Sequence, residues 1–358
     1  MYHTYEQLYD FTRAFFEKAG CPPEDAEIIS RVFMAAELRG IGSHGMIRIS
    51  DHFHLLKAGR LNTEPRMKIV HETPSTAVVD GDNAVGMISA TFSMETAIKK
   101  AKNAGTGWVA CRHSNHFGIA GYYAMMALEH DMIGICLTNA NPLVAPTFSV
   151  SRLLGTNPIA VAVPAEKYPP FVADFATTPI ARGKLEVAVR KGESTLPGYV
   201  QDKDGQPTDD PNILRKGGAM LPLGGDRDHG SHKGYCLAAI VDILSAVLPG
   251  ANFGPFVPPS VAYLPVLEES KGKGTGHFFG AMRIDAFQEA EVFKSGMDKW
   301  IETFRGAQSI EGQPKVLIPG DIERELESIN YSRGIAVMPA VIDDLNNIAE
   351  EVGLRLRL

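Results

Sequence analysis

His44 and Arg48, a histidine and an arginine four residues apart, form the first combination in the chain that could do chemistry. If Ser43 caps a helix that runs to about Gly59, both side chains lie on one face of it, and the free N–H groups at the helix start favour an anion. A guanidinium can hold a carboxylate through two parallel hydrogen bonds, and an imidazole can give or take a proton near neutrality. The pair could therefore bind a small acid and move a proton. The alternative is a solvated helix face with an incidental His and Arg.

A second polar cluster follows the apolar run GWVAC, which predicts a buried strand. His113, Ser114, Asn115 and His116 come directly after it, and a helix is predicted to begin near Gly118. Because active-site crevices in α/β proteins commonly lie at the carboxyl ends of strands, a histidine here is a candidate acid or base. A loop histidine that makes only local hydrogen bonds is the alternative, and the residues alone do not separate the two.

Two H-x-x-H pairs, His113 with His116 and His229 with His232, raise the question of a bound metal. Neither pair forms the H-E-x-x-H helix of a zinc peptidase, and neither has cysteines at zinc-finger spacing. We therefore predict no metal site, and a metal-dependent hydrolase is the competing enzyme class.

Gly40, Gly42 and Gly45 match the G-x-G-x-x-G fingerprint of dinucleotide-binding proteins. The fingerprint works only after a buried strand, from which the glycine turn delivers a pyrophosphate to the next helix. The residues before Gly40 have helical periodicity instead, so we interpret the match as accidental.

Two kinds of structure are predicted to position these residues. The opening segment is helical: Thr4 and Gln7 form a capping box for a first helix, and a second begins in the cluster Pro22–Asp25. From about Thr63 the pattern changes to short strand-like runs between turn residues and helical stretches, which predicts an α/β sheet domain. The predicted strands are TAVVD, GWVACRH, MIGICLTN, IAVAVP, FVADF and GHFFGAMRID, followed by the short strands KVLIP and GIAVMP.

The composition narrows the class of protein. The 358 residues carry a formal charge of -7, and no stretch combines basic residues with aromatics as a nucleic-acid surface would. The four cysteines are scattered without a C-x-x-C pair, which favours reduced, mostly buried thiols. The N-terminus lacks the pattern of a signal peptide, and the best apolar run is interrupted by Asp242. We predict a cytoplasmic protein with no nucleic-acid or membrane partner.

Several segments taken in order resemble the family of type 2 malate and L-lactate dehydrogenases, which also contains ureidoglycolate dehydrogenase, sulfolactate dehydrogenase and 2,3-diketogulonate reductase. The likeness spans most of the chain, and the segment Pro255–Gly276 is longer or more distinctive than the family pattern. The matching segments are RGIGSHGMIR, RHSNHFGIAGYYA, LGTNPIAVAVP, DFATTPIARGK, LPGYVQDKDGQPTDDP and GSHKGYCLAAIVDILSAVLPGANFG.

The resemblance implies an α/β fold with a non-Rossmann nicotinamide-binding domain, built on a mixed, largely antiparallel sheet. The N- and C-terminal helices would pack together as a second domain. We therefore expect residues 1–62 and 287–358 in that domain and residues 63–286 in the sheet domain. The resemblance also implies NAD or NADP as cofactor, and a homodimer whose active site lies close to the subunit contact.

By the same resemblance, His44 and His116 are the proton donors or acceptors, and Arg48 holds the substrate carboxylate. The reaction implied is hydride transfer between nicotinamide and C2 of a small 2-hydroxy or 2-oxo acid. Malate is the first choice, and lactate, ureidoglycolate and sugar-derived acids are alternatives. A non-catalytic binding protein is the alternative from another class. The weaker substrate-side candidates are Ser43, Asn115 and Asn139. The cofactor candidates are Asp174, Phe175, Ala176, Gly224, Gly225, Thr156, Asn157, Lys233, Pro319, Gly320 and Asp321.

Overall fold

The structure, a computed structural model, describes residues 2–358, apart from the side chain of residue 190. Its α-helices are α1 (Tyr5–Lys18), α2 (Pro23–Leu38), α3 (Ile47–Lys57), α4 (Gly86–Ala104), α5 (Ala120–Met126), α6 (Arg182–Lys191), α7 (Ser231–Asp242), α8 (Ala290–Arg305), α9 (Asp321–Arg333) and α10 (Pro339–Glu351). Its strands are β1 (Tyr2–His3), β2 (Lys68–Glu72), β3 (Thr76–Asp80), β4 (Thr106–Ser114), β5 (Met132–Thr138), β6 (Ile159–Val163), β7 (Phe171–Phe175), β8 (Val200–Gln201), β9 (Pro207–Thr208), β10 (Ala219–Met220), β11 (Thr275–Arg283) and β12 (Ile335–Ala336).

The central element is a seven-stranded sheet in the order β2-β3-β4-β11-β5-β6-β7. β3 and β4 run parallel and are joined through α4, the kind of crossover that parallel neighbours require. The other neighbouring pairs in this sheet are antiparallel. The prediction of a mixed, largely antiparallel sheet is therefore confirmed. Since helix α2, and not a strand, directly precedes Gly40, the glycine match there does not have the Rossmann setting.

The N-terminal helices form as their local signals predict. Thr4 Oγ1 accepts the N–H of Gln7, and Gln7 Oε1 accepts the N–H of Thr4, which completes the capping box of α1. Leu8, Phe11 and Phe15 on that helix are fully buried. α2 begins at Pro23, in agreement with the proline and acidic residues found there.

The start of the third helix was predicted wrongly. Gly42–His44 form a short 3₁₀ turn, and α3 begins only at Ile47, so Ser43 does not cap it. The carboxylate of Glu37, on α2, accepts the N–H of Met46 at 2.6 Å. Glu37 therefore caps the start of α3 in place of Ser43. A carboxylate from another helix has replaced the local cap, and His44 lies before the helix instead of in its first turn.

The two ends of the chain pack together. β1 pairs with β12, and the Asn330 side chain of α9 donates to the carbonyl of Leu38 at the end of α2. Lys57 of α3 forms an ion pair with Glu351 of α10. One hydrophobic cluster runs from α1 and α2 through the sheet to α10. The domain limits at residues 62 and 286 stay a prediction.

The C-terminal segment differs from expectation at two places. Residues 315–319 (KVLIP) contain no strand, and Pro314, directly before the segment, and Pro319, its last residue, lack the N–H groups that a sheet ladder needs. GIAVMP contains only the two-residue strand β12. Helix α8 packs near the β6–β7 connection, where Asp298 accepts the N–H of Lys167.

Two further sequence features have a structural counterpart. Cys21, Cys111 and Cys136 are buried free thiols, and Cys236 is an exposed one. Among residues 2–358, no helix has both the length and the apolar composition that crossing a bilayer requires.

Candidate active site

One cavity collects the residues singled out for chemistry. Its volume is about 1120 Å³ when the space at its open mouth is counted. Walls come from the turn before α3, the β4–α5 loop, the end of β5, the start of α6 and residues 258–260. The sequence-predicted residues that line it are Ser43, His44, Arg48, Asn115, His116, Asn139 and Thr156.

His44 and His116 stack on one another in this cavity. Their ring centroids are 5.5 Å apart and the ring planes differ by 18°. Nδ1 of His44 lies 3.0 Å from the hydroxyl of Ser43, and Nδ1 of His116 accepts the N–H of Gly118 at 3.4 Å. Nε2 of each ring has no hydrogen-bond partner among the described residues, so both remain available to a ligand.

Close backbone packing positions His116. It lies in the loop after β4, and α4 starts against that loop at Gly86. A Cβ on Gly86 would overlap the carbonyl oxygens of Asn115 and His116, so only glycine fits there. The loop is thus held directly against the helix start.

Arg48 is anchored at the beginning of α3. Its Nε donates to the carbonyl of Ser43 at 2.8 Å, and its Nη1 donates to Asp51 Oδ2 at 2.9 Å. One edge of the guanidinium is therefore fixed by the protein, while Nη2 has no partner within residues 2–358. A guanidinium held in this way can offer its remaining N–H groups to a carboxylate.

A third histidine lies beneath the pair. His52 is buried, its Nδ1 donates to the carbonyl of Arg48 at 2.8 Å, and its ring centroid is 5.8 Å from that of His116. It supports Arg48 and His116 together. Sequence analysis missed both Asp51 and His52, although their spacing of three and four residues from Arg48 was a usable helical signal.

The surroundings of the histidines keep them neutral. Burial, followed by the positive charge of Arg48, lowers the pKa of His44 to about 4. Burial, followed by the neighbouring His44, His52 and Arg48, holds the pKa of His116 well below its ordinary value. Both rings are uncharged near neutrality in the free protein. Because Nδ1 of His116 accepts from Gly118, the neutral His116 carries its hydrogen on Nε2, so the Nε2 that can accept a proton is that of His44.

The substrate-side asparagines are engaged by the protein. Asn139 is buried: its Nδ2 donates to Asp242 and to the carbonyl of Asn252, and its Oδ1 accepts the N–H of Gly276. Asn115 Nδ2 donates to the carbonyl of Ala84 at 2.8 Å. Both residues shape the cavity wall, and the side chain of Asn139 is fully occupied in doing so.

Part of the cofactor set forms a continuous strip beside the cavity. The carbonyl of Thr156, a cavity residue, accepts the N–H of Thr177, which follows Ala176 in the chain. The carbonyl of Thr177 in turn accepts the N–H of Leu223, directly before Gly224 and Gly225. Thr156, Ala176 and the glycine turn are therefore neighbours.

Other cofactor candidates have different surroundings. Asn157 is fully buried, and its side chain bonds the backbones of Ala140 and Ala238. Asp321 is held by the guanidinium groups of Arg305 and Arg324. Its neighbours Pro319 and Gly320 contact Val172, near the start of β7, and do not line the cavity.

Asp174, Phe175 and Lys233 keep exposed surface. Asp174 Oδ2 accepts the N–H of Gly121, and Oδ1 has no hydrogen-bond partner in the described part of the chain.

The H-x-x-H pairs are not arranged around a common point. His113 bonds Asp80 at 2.9 Å, away from His116, which stacks on His44. His229 bonds Asp226, and His232 accepts from Arg227. Residues 2–358 contain no group of three or more His, Cys, Asp or Glu side chains placed to hold a metal ion.

The cavity also contains residues that sequence analysis did not single out. Arg182, at the start of α6, and Pro258–Ser260 form part of its wall. Both stretches carried a signal: Arg182 lies in the matching segment DFATTPIARGK, and residues 258–260 lie in the segment that departs from the family pattern.

Comparison with known proteins agrees with this arrangement. A family model described as malate/L-lactate dehydrogenase matches residues 3–346. Malate dehydrogenase of Pyrococcus abyssi is 40% identical over 98% of this chain and 94% of its own length. L-sulfolactate dehydrogenase of Methanocaldococcus jannaschii is 42% identical over 95% of this chain and 94% of its own length.

Among solved structures, malate dehydrogenase from Pyrococcus horikoshii OT3 superposes with a TM-score of 0.91 at 37% identity, covering 100% of this chain and 97% of that one. The chain therefore belongs to the malate/L-lactate dehydrogenase family and is a dehydrogenase of small 2-hydroxy acids that uses a nicotinamide cofactor.

Proposed function

We propose that the enzyme interconverts malate and its 2-oxo acid, with Arg48 binding the C1 carboxylate and the His44–His116 pair moving the proton at the C2 oxygen. The observation that carries this proposal is the convergence of two stacked imidazoles, each with a free Nε2, and one half-anchored guanidinium in a single cavity. Malate is preferred because relatives about 40% identical over nearly the whole chain carry that name.

The two histidines work as one acid–base unit. Because a charge on one ring lowers the pKa of the other, and because Arg48 disfavours both charges, the stacked pair holds at most one positive charge, that is, one proton more than the two neutral rings carry. In the oxidation direction the neutral pair accepts the hydroxyl proton of the substrate. In the reduction direction the singly protonated pair donates that proton to the oxygen.

Arg48 orients the substrate and adjusts this unit. The acid's carboxylate neutralises the guanidinium, and so removes one of the two causes that lower the pKa of His44. Substrate binding thus favours proton uptake by the pair. Asp51 and the carbonyl of Ser43 keep the guanidinium turned toward the cavity.

The cofactor candidates in and next to the strip fit a dinucleotide in their chemistry. Asp174 and Phe175, directly before Ala176, offer a free carboxylate oxygen and an exposed aromatic surface. Lys233 is a cation with no ion-pair partner among the described residues. The residues proposed to hold NAD or NADP are Asp174, Phe175, Ala176, Thr156, Gly224, Gly225 and Lys233. When bound, the nicotinamide gives a hydride to C2 or takes one from it.

We propose a homodimer that uses the apolar face of α7 and its continuation. Tyr235, Ile240, Ile243 and Val247 are 38%, 51%, 54% and 56% exposed along this stretch. An exposed apolar row of this kind is typical of a protein–protein contact. A cytoplasmic location stays a prediction, and the buried free thiols are consistent with a reducing compartment.

The direct test is NAD(P)H absorbance with a panel of 2-oxo acids and both reduced cofactors. We expect His44→Gln and His116→Gln each to lower turnover by about a hundredfold or more. His113→Gln is the matched control, because His113 lies near the end of β4, three residues before His116, and bonds Asp80 without lining the cavity. Near-normal turnover in either cavity variant would remove that histidine from the mechanism.

A further inference from the structure

The cavity is lined by two guanidinium groups. Besides Arg48, the side chain of Arg182 reaches it from the first residue of α6. Among the described residues, the single carboxylate that lines the cavity is Asp51, and it already pairs with Arg48. A monocarboxylic acid can neutralise only one of these guanidinium groups, whereas a dianionic acid can pair with both.

Arg182 is held in place by partners on two sides. Its Nε donates to Glu186 Oε1 at 2.9 Å, one helical turn along α6, and its Nη2 lies 3.4 Å from the hydroxyl of Tyr263. The side chain is 27% exposed, and its Nη1 has no partner within residues 2–358. Because these contacts already restrict the long side chain, little further entropy is lost when it binds an anion.

The start of α6 lies directly against the turn that carries His44. A Cβ built on Gly183 would lie 3.3 Å from Cβ of Ser43, so the absence of a side chain there allows the close approach. Arg182 and His44 therefore belong to adjoining walls. Both side chains line the same cavity.

The remaining wall comes from the segment that departs from the family pattern. Pro258–Ser260 line the cavity, and Arg60 donates to the backbone carbonyls of Pro259, Val261 and Leu264. Tyr263, the partner of Arg182, lies in the same segment. Arg60 thus fixes the stretch that helps to hold Arg182.

We infer that Arg182 binds the distal anionic group of the substrate and selects 2-oxo acids that carry a second negative charge. The inference rests on the proposed function, because it assigns the first carboxylate to Arg48. The class of substrate is a short dianion, with a carboxylate or sulfonate one or two carbons beyond C2. An uncharged substrate group of the same size would leave Nη1 of Arg182 without a partner, whereas its Nε stays bonded to Glu186.

The test compares two four-carbon acids, oxaloacetate and 2-oxobutyrate, which differ in the distal carboxylate. We expect the wild-type enzyme to prefer oxaloacetate in kcat/KM. Arg182→Gln should lower kcat/KM for oxaloacetate by about a hundredfold and leave that for 2-oxobutyrate within about threefold. Arg182→Lys should recover part of the loss, because lysine keeps the positive charge but lacks the paired N–H donors of the guanidinium.

Lys184→Gln is the matched control. It removes one positive charge from the same turn of α6, but Lys184 is exposed and does not line the cavity. Its two kcat/KM values should stay close to those of the wild type. If Lys184→Gln lost as much preference for oxaloacetate as Arg182→Gln does, the total positive charge of α6, and not a contact of Arg182, would explain the preference. That result would overturn the inference.

Inhibition of the wild-type enzyme gives a readout that does not depend on how the variants fold. Malonate, a dianion, should inhibit at concentrations at least about thirtyfold lower than propionate, and equal inhibition constants would overturn the inference. Three other results would also overturn it. The wild-type enzyme could prefer 2-oxobutyrate, or Arg182→Gln could lower kcat/KM equally for both acids. The third result is an Arg182→Gln variant in which only the KM of the reduced cofactor changes. Turnover with neither these nor any other 2-oxo acid would refute the proposed function itself, and the inference with it.

Discussion

The pH dependence of catalysis tests whether the stacked histidine pair carries the proton. Reduction of a 2-oxo acid needs the protonated pair, and kcat/KM reports the protonation state of the enzyme before the acid binds. In the free enzyme the pKa of His44 is lowered to about 4, and that of His116 lies well below its ordinary value. The required form is therefore a minor species throughout the neutral range.

The small protonated fraction determines how kcat/KM changes with pH. We expect kcat/KM for reduction, at saturating reduced cofactor, to fall about tenfold for each unit of pH between about pH 5 and about pH 8. In the oxidation direction the neutral pair is required, and it predominates above about pH 5, so kcat/KM for the hydroxy acid should be flat over that range. The pH profiles of kcat/KM for reduction and for oxidation should thus differ in shape as well as in magnitude.

The turnover number adds a second readout. When the acid's carboxylate neutralises Arg48, the pKa of the pair rises, because that positive charge is the second cause of the lowering at His44. The decline of kcat for reduction should therefore begin about one pH unit or more above the decline of kcat/KM. His44→Gln should remove or displace both declines, and His113→Gln should leave both unchanged.

The result that would refute this reasoning is a kcat/KM for reduction that stays constant from about pH 5 to about pH 8 in the wild-type enzyme. It would mean that the proton comes from a group already charged at neutrality, or from solvent. The stacked pair would then be a structural feature of the cavity.

Three further predictions concern Arg48, Glu37 and the face of α7. Arg48→Lys should raise the KM for the 2-oxo acid about tenfold or more without changing the KM of the cofactor, because a point charge cannot reproduce the fork; unchanged KM values would contradict its role. Burial raises the pKa of Glu37 from an ordinary 4.5 to about 7, so the folded state holds that proton more tightly than the unfolded state does. The free energy of unfolding should therefore fall by roughly 3 kcal/mol as the pH rises through this window, and Glu37→Gln, followed by urea unfolding, should remove that part of the decline. Ile240→Glu should shift the sedimentation coefficient toward that of the monomer, whereas Val292→Glu, at a 59% exposed site on α8, should not.

Local signals predicted elements whose determinants lie within a few residues. The capping box of α1 needs only Thr4 and Gln7, and the start of α2 needs only its proline and acidic residues. The strands from TAVVD to GHFFGAMRID were found from composition and turn residues. The mixed, largely antiparallel character of the sheet came from the family resemblance, and the order of its strands was not predicted, since periodicity carries no information about which strands are neighbours.

Three of the differences from expectation depend on contacts between distant parts of the chain. The start of α3 is set by Glu37, which lies nine residues before Met46 and on another helix. The Asn139 side chain is occupied by Asp242 and Asn252, more than a hundred residues away. Arg182 became a site residue only when α6 was seen to lie against Ser43. None of these contacts has a signature in a local window of sequence.

The same burial that prepares the histidines for catalysis also limits the conditions under which the enzyme can use them. Reduction gains from low pH, because more of the pair is then protonated. The folded pKa values of His44 and His277 are lowered to about 4 and about 3, and that of His52 is lowered as well. For each of these bases, stability is fully present above the unfolded pKa near 6.5 and is lost as the pH falls toward the folded value, since the unfolded chain then binds more protons. Because the protein has several such groups, the low pH that favours reduction also lowers the stability of the folded state. The carboxylate of the substrate relieves this conflict locally: by neutralising Arg48 it raises the pKa of the pair in the bound state only, so the proton is taken up when it is needed and the free protein keeps its neutral core.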